Sequence, residues 1–136
     1  MDELPMLLNP LPVKEARLKN PLALAFIGDT VWDLLVRSRL LRSRERVGSL
    51  HRQAVAQVNA GAQAQAVSRL ITHLCPEERA VLQRGRNAHA KHAAPKNQDP
   101  VDYGNATGLE ALLGYLYLSG QWSRLLILFD IAMPMT

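Results

Sequence analysis

Two segments of this chain are predicted helices in which almost every residue is apolar. The first runs from Asn20 to about Arg39, and the second runs from Ala106 to Leu118. A helix that is apolar on all sides belongs in a protein interior. Asp29 lies in the first helix and Glu110 in the second, although acids are rarely buried unless they are paired or bind a metal. The sequence therefore predicts a buried partner for each acid.

The composition is that of one soluble domain with an anionic partner. The chain has 136 residues, a formal charge of +4 and a pI of about 9.6, which favours nucleic acid as a partner. Its single cysteine, Cys75, permits no internal disulfide. No run of about 18 uncharged apolar residues and no signal-peptide pattern is present. We expect a cytoplasmic protein without a membrane span.

The predicted organisation is all-α, with residues 1–20 as an N-terminal tail and residues 21–136 as one helical domain. Asn20 followed by Pro21 is typical of a helix start. A long helix is predicted from about Ser49 to about Leu74, with a kink or break at Gly61. Shorter helices are predicted over 75–86 and 122–132, separated from each other by an exposed loop and the second apolar helix. No segment shows the alternation of a strand.

Asp29 and Asp33 share one helix face because they are four residues apart. If the two apolar helices pack together, carboxylates from both converge on one point. Small residues that would allow the close approach are Ala25, Gly28, Gly108 and Gly114. Oxygen ligands of this kind suit Mg²⁺ or Mn²⁺, and Mg²⁺ needs only one or two protein carboxylates. Periodicity alone equally allows an ion pair between Asp29 and an arginine such as Arg37.

A second candidate feature is a basic, polar segment between the apolar helices. Its side chains are suited to contact phosphates and sugars: Arg84, Arg86, Asn87, Lys91, Lys96 and Asn97. The segment is poor in aromatic residues, which argues against base stacking on single strands but not against double-stranded RNA. A solvated face with a flexible loop is the alternative interpretation.

Both apolar helices resemble the catalytic helices of the ribonuclease III family. Residues 24–33, around Phe26-Ile-Gly-Asp29, are similar to its signature helix, and residues 107–118, around Glu110-Ala-Leu-Leu-Gly, are similar to its second catalytic helix. The similarity is greatest to the Mini-ribonuclease III branch, which also matches at 84–87 and 95–97. It covers roughly residues 20–130 and implies a ribonuclease III-type helical endonuclease domain without a double-stranded-RNA-binding domain.

The resemblance implies a role for three positions and the absence of an acid at two more. Asp29 and Glu110 would be catalytic metal ligands. Ala25 and Thr107 stand where the wider family has two further acids; the Mini branch also lacks these, so the number of metal ions stays open. Phe26 would insert into a partner subunit, which implies a homodimer.

The implied reaction is Mg²⁺- or Mn²⁺-dependent hydrolysis of double-stranded RNA, leaving a 5′-phosphate and a 3′-hydroxyl. The implied substrate is the precursor of large-subunit ribosomal RNA, and a ribosomal protein would be a candidate to present it. Two alternatives predict no cleavage. One is a non-catalytic RNA-binding or ribosome-assembly module on the same fold, and the other is a helical protein-interaction domain.

Overall fold

The computed structural model describes residues 9–42, 47–89 and 99–134, and these residues contain helices and no β-strand. The all-α prediction is confirmed. In chain order the helices are α1 (Val13–Arg17), α2 (Pro21–Leu40), α3 (Val47–Val58), α4 (Ala60–Leu70), α5 (Pro76–His89), α6 (Pro100–Leu118) and α7 (Trp122–Ala132), with a 3₁₀ turn (Ile71–His73) after α4.

Side-chain caps determine where three of the helices begin. The Asn20 oxygen accepts a hydrogen bond from the Leu22 amide at 2.8 Å, which confirms the predicted start of α2. Asn59 caps α4, so the predicted long helix is divided at Asn59 rather than at Gly61. Asp99 caps α6, which therefore starts six residues earlier than the apolar pattern indicated.

The core is built around α6, which packs against α2, α4 and α5. Its leucines Leu109, Leu112, Leu113 and Leu116 are fully or almost fully buried. The prediction of an interior helix is correct for α6. Among the described residues, no helix has the length and hydropathy needed to cross a membrane.

Glycines let the helices on either side of α6 approach it at backbone distance. A Cβ on Gly28 would lie 1.7 Å from the Glu110 carbonyl oxygen, and one on Gly114 would lie 2.0 Å from the Leu24 carbonyl oxygen. These contacts confirm the predicted close crossing of α2 and α6. Gly108 does not contribute to that crossing, because its own close contact is with Leu82 on α5, where a Cβ would lie 2.7 Å from the carbonyl oxygen.

Residues 10–19 pack against the helical domain. The Leu11 amide donates to the Leu118 carbonyl at 2.7 Å, and Ala16 is fully buried. Arg84 on α5 donates to the carbonyls of Arg17 and Lys19, at 2.5 and 3.1 Å. These contacts stabilise the C-terminal end of α1.

One buried acid lies far from the crossing of α2 and α6. Glu78 is 3% exposed, accepts from the Cys75 amide at 2.9 Å and forms an ion pair with Arg124 of α7 at 2.8 Å. Burial alone would raise the pKa of Glu78, but the hydrogen bonds from Arg124 and Cys75 outweigh it and hold that pKa below its ordinary value. This pair joins α5 to α7 and is structural.

Candidate active site

Asp29 and Glu110 meet where α2 crosses α6. Because Gly28 lies directly against the backbone of Glu110, the next residue of α2 brings its carboxyl beside the Glu110 side chain. The two carboxyls are close enough to interact through both a hydrogen bond and charge. Two acids that are 81 positions apart in the sequence thus form one pair, as the apolar pattern predicted.

Burial, together with the neighbouring Asp29, raises the affinity of Glu110 for a proton. The pKa of Glu110 rises from its ordinary 4.5 to about 8, first because of burial and then because of the hydrogen bond and charge of Asp29. A hydrogen bond from Gln63 acts in the opposite direction. Without a cation, the second negative charge at this site is therefore strongly disfavoured near neutral pH.

The alternative partner for Asp29 is not observed. Arg37 instead bonds Asp33, with 2.8 Å between Nε and Oδ1. Among the described residues, none of the ion pairs includes Asp29. The expectation that Asp29 is buried within one chain is wrong, because it lies on an exposed side of α2, whereas Glu110 is partly buried. Asp29 is thus an accessible carboxylate beside a largely shielded one.

Gln63 of α4 is a third member of this site that the sequence analysis missed. Its side chain is 3% exposed, and its Nε2 lies 3.4 Å from Oε2 of Glu110. The sequence does contain one indication of this role, because Gln63 is a polar residue at helical spacing from the apolar positions Ala66 and Leu70. Periodicity identifies that face as packing surface, but it does not identify a partner for the amide within it.

The carboxyls of Asp29 and Glu110 suit a divalent cation that binds few protein ligands better than a metal that is surrounded by protein side chains. The described residues contain no cluster of three or more His, Cys, Asp or Glu side chains with metal-binding geometry. Two adjacent carboxylates nevertheless suit Mg²⁺ or Mn²⁺, which keep several waters and take oxygen ligands. The pKa of Glu110 is raised by burial and then by Asp29, and a cation here would offset the second of these causes, the repulsion between the two carboxyls. The residues present are therefore compatible with the predicted metal.

Comparison with known proteins assigns the chain to a family. The family profile "Ribonuclease III domain" matches residues 22–121. The chain is 50% identical to Mini-ribonuclease 3 of Symbiobacterium thermophilum over 106 residues, covering 77% of this chain and 81% of that protein. It is 46% identical to Mini-ribonuclease 3 of Desulfitobacterium hafniense, over 82% and 70% of the two chains.

The chain belongs to the Mini-ribonuclease 3 family. It is therefore an endoribonuclease of the ribonuclease III type, a class that acts on double-stranded RNA and generally depends on a divalent metal. A crystal structure of a Fusobacterium nucleatum protein has the same fold, with a TM-score of 0.77 and 28% identity over 88% of this chain and 95% of that one. The predicted ribonuclease III-type fold is confirmed.

The two positions at which the resemblance implies further acids in the wider family are closed to solvent in this chain. Ala25 is 8% exposed, and Thr107 is 7% exposed with its hydroxyl donating to the Tyr103 carbonyl at 2.9 Å. Neither side chain offers an ionic metal ligand. The carboxyls that the structure brings together at this crossing are those of Asp29 and Glu110.

The predicted RNA-binding residues lie partly within the described chain. Arg86 donates to Asn105 of α6 at 2.6 Å, and Asn87 accepts from Gln83 at 3.0 Å, on the surface of α5. Arg84 is held by the backbone carbonyls of Arg17, the last residue of α1, and of Lys19. Three further predicted residues lie outside the described residues: Lys91, Lys96 and Asn97.

The exposed side of α2 carries large apolar side chains. Phe26 is 82% exposed, Leu34 is 62% exposed and Leu22 is 38% exposed. This corrects the prediction that α2 is interior on all sides within one chain. Ribonuclease III domains typically dimerise, and an apolar strip of this kind has the character of a surface that a second chain covers.

Proposed function

We propose that this endoribonuclease cleaves double-stranded RNA with Mg²⁺, or with Mn²⁺ in its place, held by Asp29 and Glu110. The observation that carries the proposal is the carboxyl pair at the α2–α6 crossing, in which the pKa of Glu110 is raised to about 8. A structural carboxylate would be expected to have a basic partner, as Glu78 has in Arg124. The pair at the crossing has a second acid instead, which favours a cation-binding role.

The two acids contribute differently because their surroundings differ. Asp29 is exposed, so it can reach a metal that also contacts a phosphate. Glu110 is partly buried on a helix whose backbone packs directly against Gly28, so the position of its backbone is constrained. A bound divalent ion supplies a water of lowered pKa and stabilises charge on the phosphoryl group. The proposed products are a 5′-phosphate and a 3′-hydroxyl.

We further propose that the active form is a homodimer with Phe26 at the interface. Burying the exposed strip of α2 against a second copy would remove three large apolar side chains from water. A twofold axis near α2 would bring two copies of Asp29 to one surface. Such an arrangement provides one site for each strand of a duplex.

The RNA contacts are assigned to the basic side of α5 and the segment after it. Arg86 and Asn87 lie on α5, whereas Lys91, Lys96 and Asn97 are included from the sequence alone. Arg84 would reach a phosphate only through the part of its guanidinium that the Arg17 and Lys19 carbonyls leave available. Because phosphate contacts release counterions, RNA affinity should fall steeply with salt.

The substrate that we propose is the precursor of large-subunit ribosomal RNA, in the cytoplasm, with a ribosomal protein as a candidate to present it. The test is incubation of that precursor with the protein, with and without Mg²⁺, followed by mapping of the RNA ends. Ends that appear only with Mg²⁺, within double-stranded segments, support the proposal. Binding of the precursor without any cleavage would instead indicate a non-catalytic ribosome-assembly role, the alternative that the absent acids at Ala25 and Thr107 favour.

The site assignment is tested by Asp29→Asn, with Asp33→Asn as the matched control one turn along the same helix. Asp33 is already paired with Arg37, so its loss should leave cleavage within a few-fold of wild type. Asp29→Asn removes a proposed metal ligand from an exposed position and should reduce cleavage by more than about a hundredfold while leaving a folded dimer. Cleavage by Asp29→Asn at the wild-type rate would refute the assignment.

A further inference from the structure

Gln63 is an amide placed in the packing face of a helix. Ala66, Val67 and Leu70 lie on the same face of α4 and are at most 2% exposed, and Gln63 itself is 3% exposed. Burying an amide without hydrogen bonds costs free energy, so a buried glutamine needs a specific partner. Packing alone does not account for a polar side chain at this position.

The partner of Gln63 is Glu110, the proposed metal ligand on α6. Its Nε2 donates to Oε2 of Glu110 over 3.4 Å, from α4 to α6. An ionised carboxylate can only accept, and an amide nitrogen can only donate, so the two groups are matched. The contact joins two helices that pack directly against each other.

Both ends of this contact are anchored by backbone interactions. The cap at Asn59 fixes the start of α4, because its side chain accepts from the Ala62 amide at 2.9 Å and its backbone carbonyl accepts from the Gln63 amide at 3.1 Å. The backbone of Glu110 is held by its contact with Gly28. With both backbones fixed, the hydrogen bond constrains the carboxyl of Glu110 itself.

We propose that Gln63 is a positioning residue, which holds the Glu110 carboxylate oriented toward Asp29 so that both acids can bind one divalent cation. This inference rests on the proposed metal-dependent function. A side chain that hydrogen-bonds to a metal-binding residue, without contacting the metal, fixes the orientation of that residue. Its loss typically weakens metal binding 10- to 100-fold. In the part of the chain that the structure describes, no third acid joins this pair to compensate for a misplaced carboxylate.

The test removes the amide but keeps the length of the side chain, as Gln63→Met. Binding of Mn²⁺ to the whole protein without RNA is measured from the loss of the free Mn²⁺ signal in electron paramagnetic resonance. We expect a dissociation constant about 10- to 100-fold higher than that of wild type. Cleavage should fall by a similar factor at limiting Mg²⁺ and recover at high Mg²⁺, because the ligands themselves are still present.

Two controls on the same helix separate positioning from stability. Gln65→Met makes the same chemical change on an exposed side chain and should leave Mn²⁺ binding unchanged. Val67→Ala removes buried volume but no hydrogen-bonding group, so it should lower the melting temperature while leaving the Mn²⁺ dissociation constant within twofold. If methionine prevents folding, Gln63→Ala removes the same donor with less volume and is measured in its place.

The outcomes distinguish this inference from the function on which it rests. If wild type shows Mg²⁺-dependent cleavage and the folded Gln63 variant binds Mn²⁺ within twofold of wild type, the positioning role is refuted and the proposed function stands. If Val67→Ala weakens Mn²⁺ binding as much as Gln63→Met does, the effect is one of stability, which also overturns the inference. If wild type neither binds Mn²⁺ nor cleaves with Mg²⁺, the proposed function itself fails.

Discussion

Replacing Glu110 with glutamine should stabilise the metal-free protein at alkaline pH, although it removes a proposed catalytic group. In the folded chain the pKa of Glu110 is about 8, against an ordinary value of 4.5. Because the pKa of Glu110 is higher in the folded chain than in the unfolded chain, its contribution to the free energy of unfolding is fully present below about pH 4.5. That contribution is lost as the pH rises through about 8. Above that range the folded protein must hold an ionised carboxyl beside Asp29 in a partly buried site.

The magnitude follows from the two pKa values. At 1.36 kcal/mol for each pKa unit, the full effect is roughly 5 kcal/mol, of which about 4 kcal/mol falls between pH 5 and pH 9. Glu110 keeps part of its surface exposed, so this is an upper value. It is still a large fraction of the roughly 5–15 kcal/mol that stabilises a typical domain. Glu110→Gln carries no charge and avoids the loss.

The assay is urea unfolding followed by circular dichroism, at pH 5 and pH 9, with EDTA and at one fixed protein concentration. Glu77→Gln, an exposed acid, is the control and should follow wild type at both pH values. Asp29→Asn should recover a smaller part of the loss than Glu110→Gln, because burial is the larger cause of the raised pKa. Equal changes in unfolding free energy for wild type and Glu110→Gln between the two pH values would refute the reasoning.

Three further predictions concern packing, association and acid stability. Gly28→Ala should destabilise the fold by roughly 3 kcal/mol or more, because its Cβ would lie 1.7 Å from a backbone oxygen. The control Gly48→Ala places its Cβ no nearer than 3.8 Å to another residue, so it should be neutral or stabilising by up to about 1 kcal/mol. Both are measured by thermal unfolding, and equal melting temperatures for the two variants would contradict the close crossing of α2 and α6. Phe26→Glu should convert the dimer to monomer in sedimentation experiments, since the ring is 82% exposed in a single chain; an unchanged mass would place the interface elsewhere. Glu78→Gln should lower the free energy of unfolding by about 2–3 kcal/mol at pH 7, and by progressively less as the pH falls through the lowered pKa of Glu78. The control Glu77→Gln should leave the free energy of unfolding almost unchanged. A loss for Glu78→Gln that does not depend on pH would exclude the ion pair as its cause.

Local sequence patterns were sufficient to predict the all-α fold class and the proximity of Asp29 and Glu110. The apolar residues around Asp29 and Glu110 predicted helices, and the glycines near them predicted a close crossing, which the contact between Gly28 and Glu110 confirms. Cap residues were less well predicted, because Asn59 and Asp99 sit in segments whose composition suggests either a helix or a turn. The choice between these depends on whether a side chain reaches a free amide, as it does at Asn59.

The sequence by itself determined that two acids lie in apolar helices and that helical packing would bring those helices together. Only the tertiary structure decided which partners the acids have: Arg37 goes to Asp33, and Gln63 reaches Glu110 from a third helix. It also decided that one side of α2 is exposed, with Phe26 on it. The reason is physical, since periodicity defines the faces of each helix, whereas partners across helices depend on how those faces are rotated against one another.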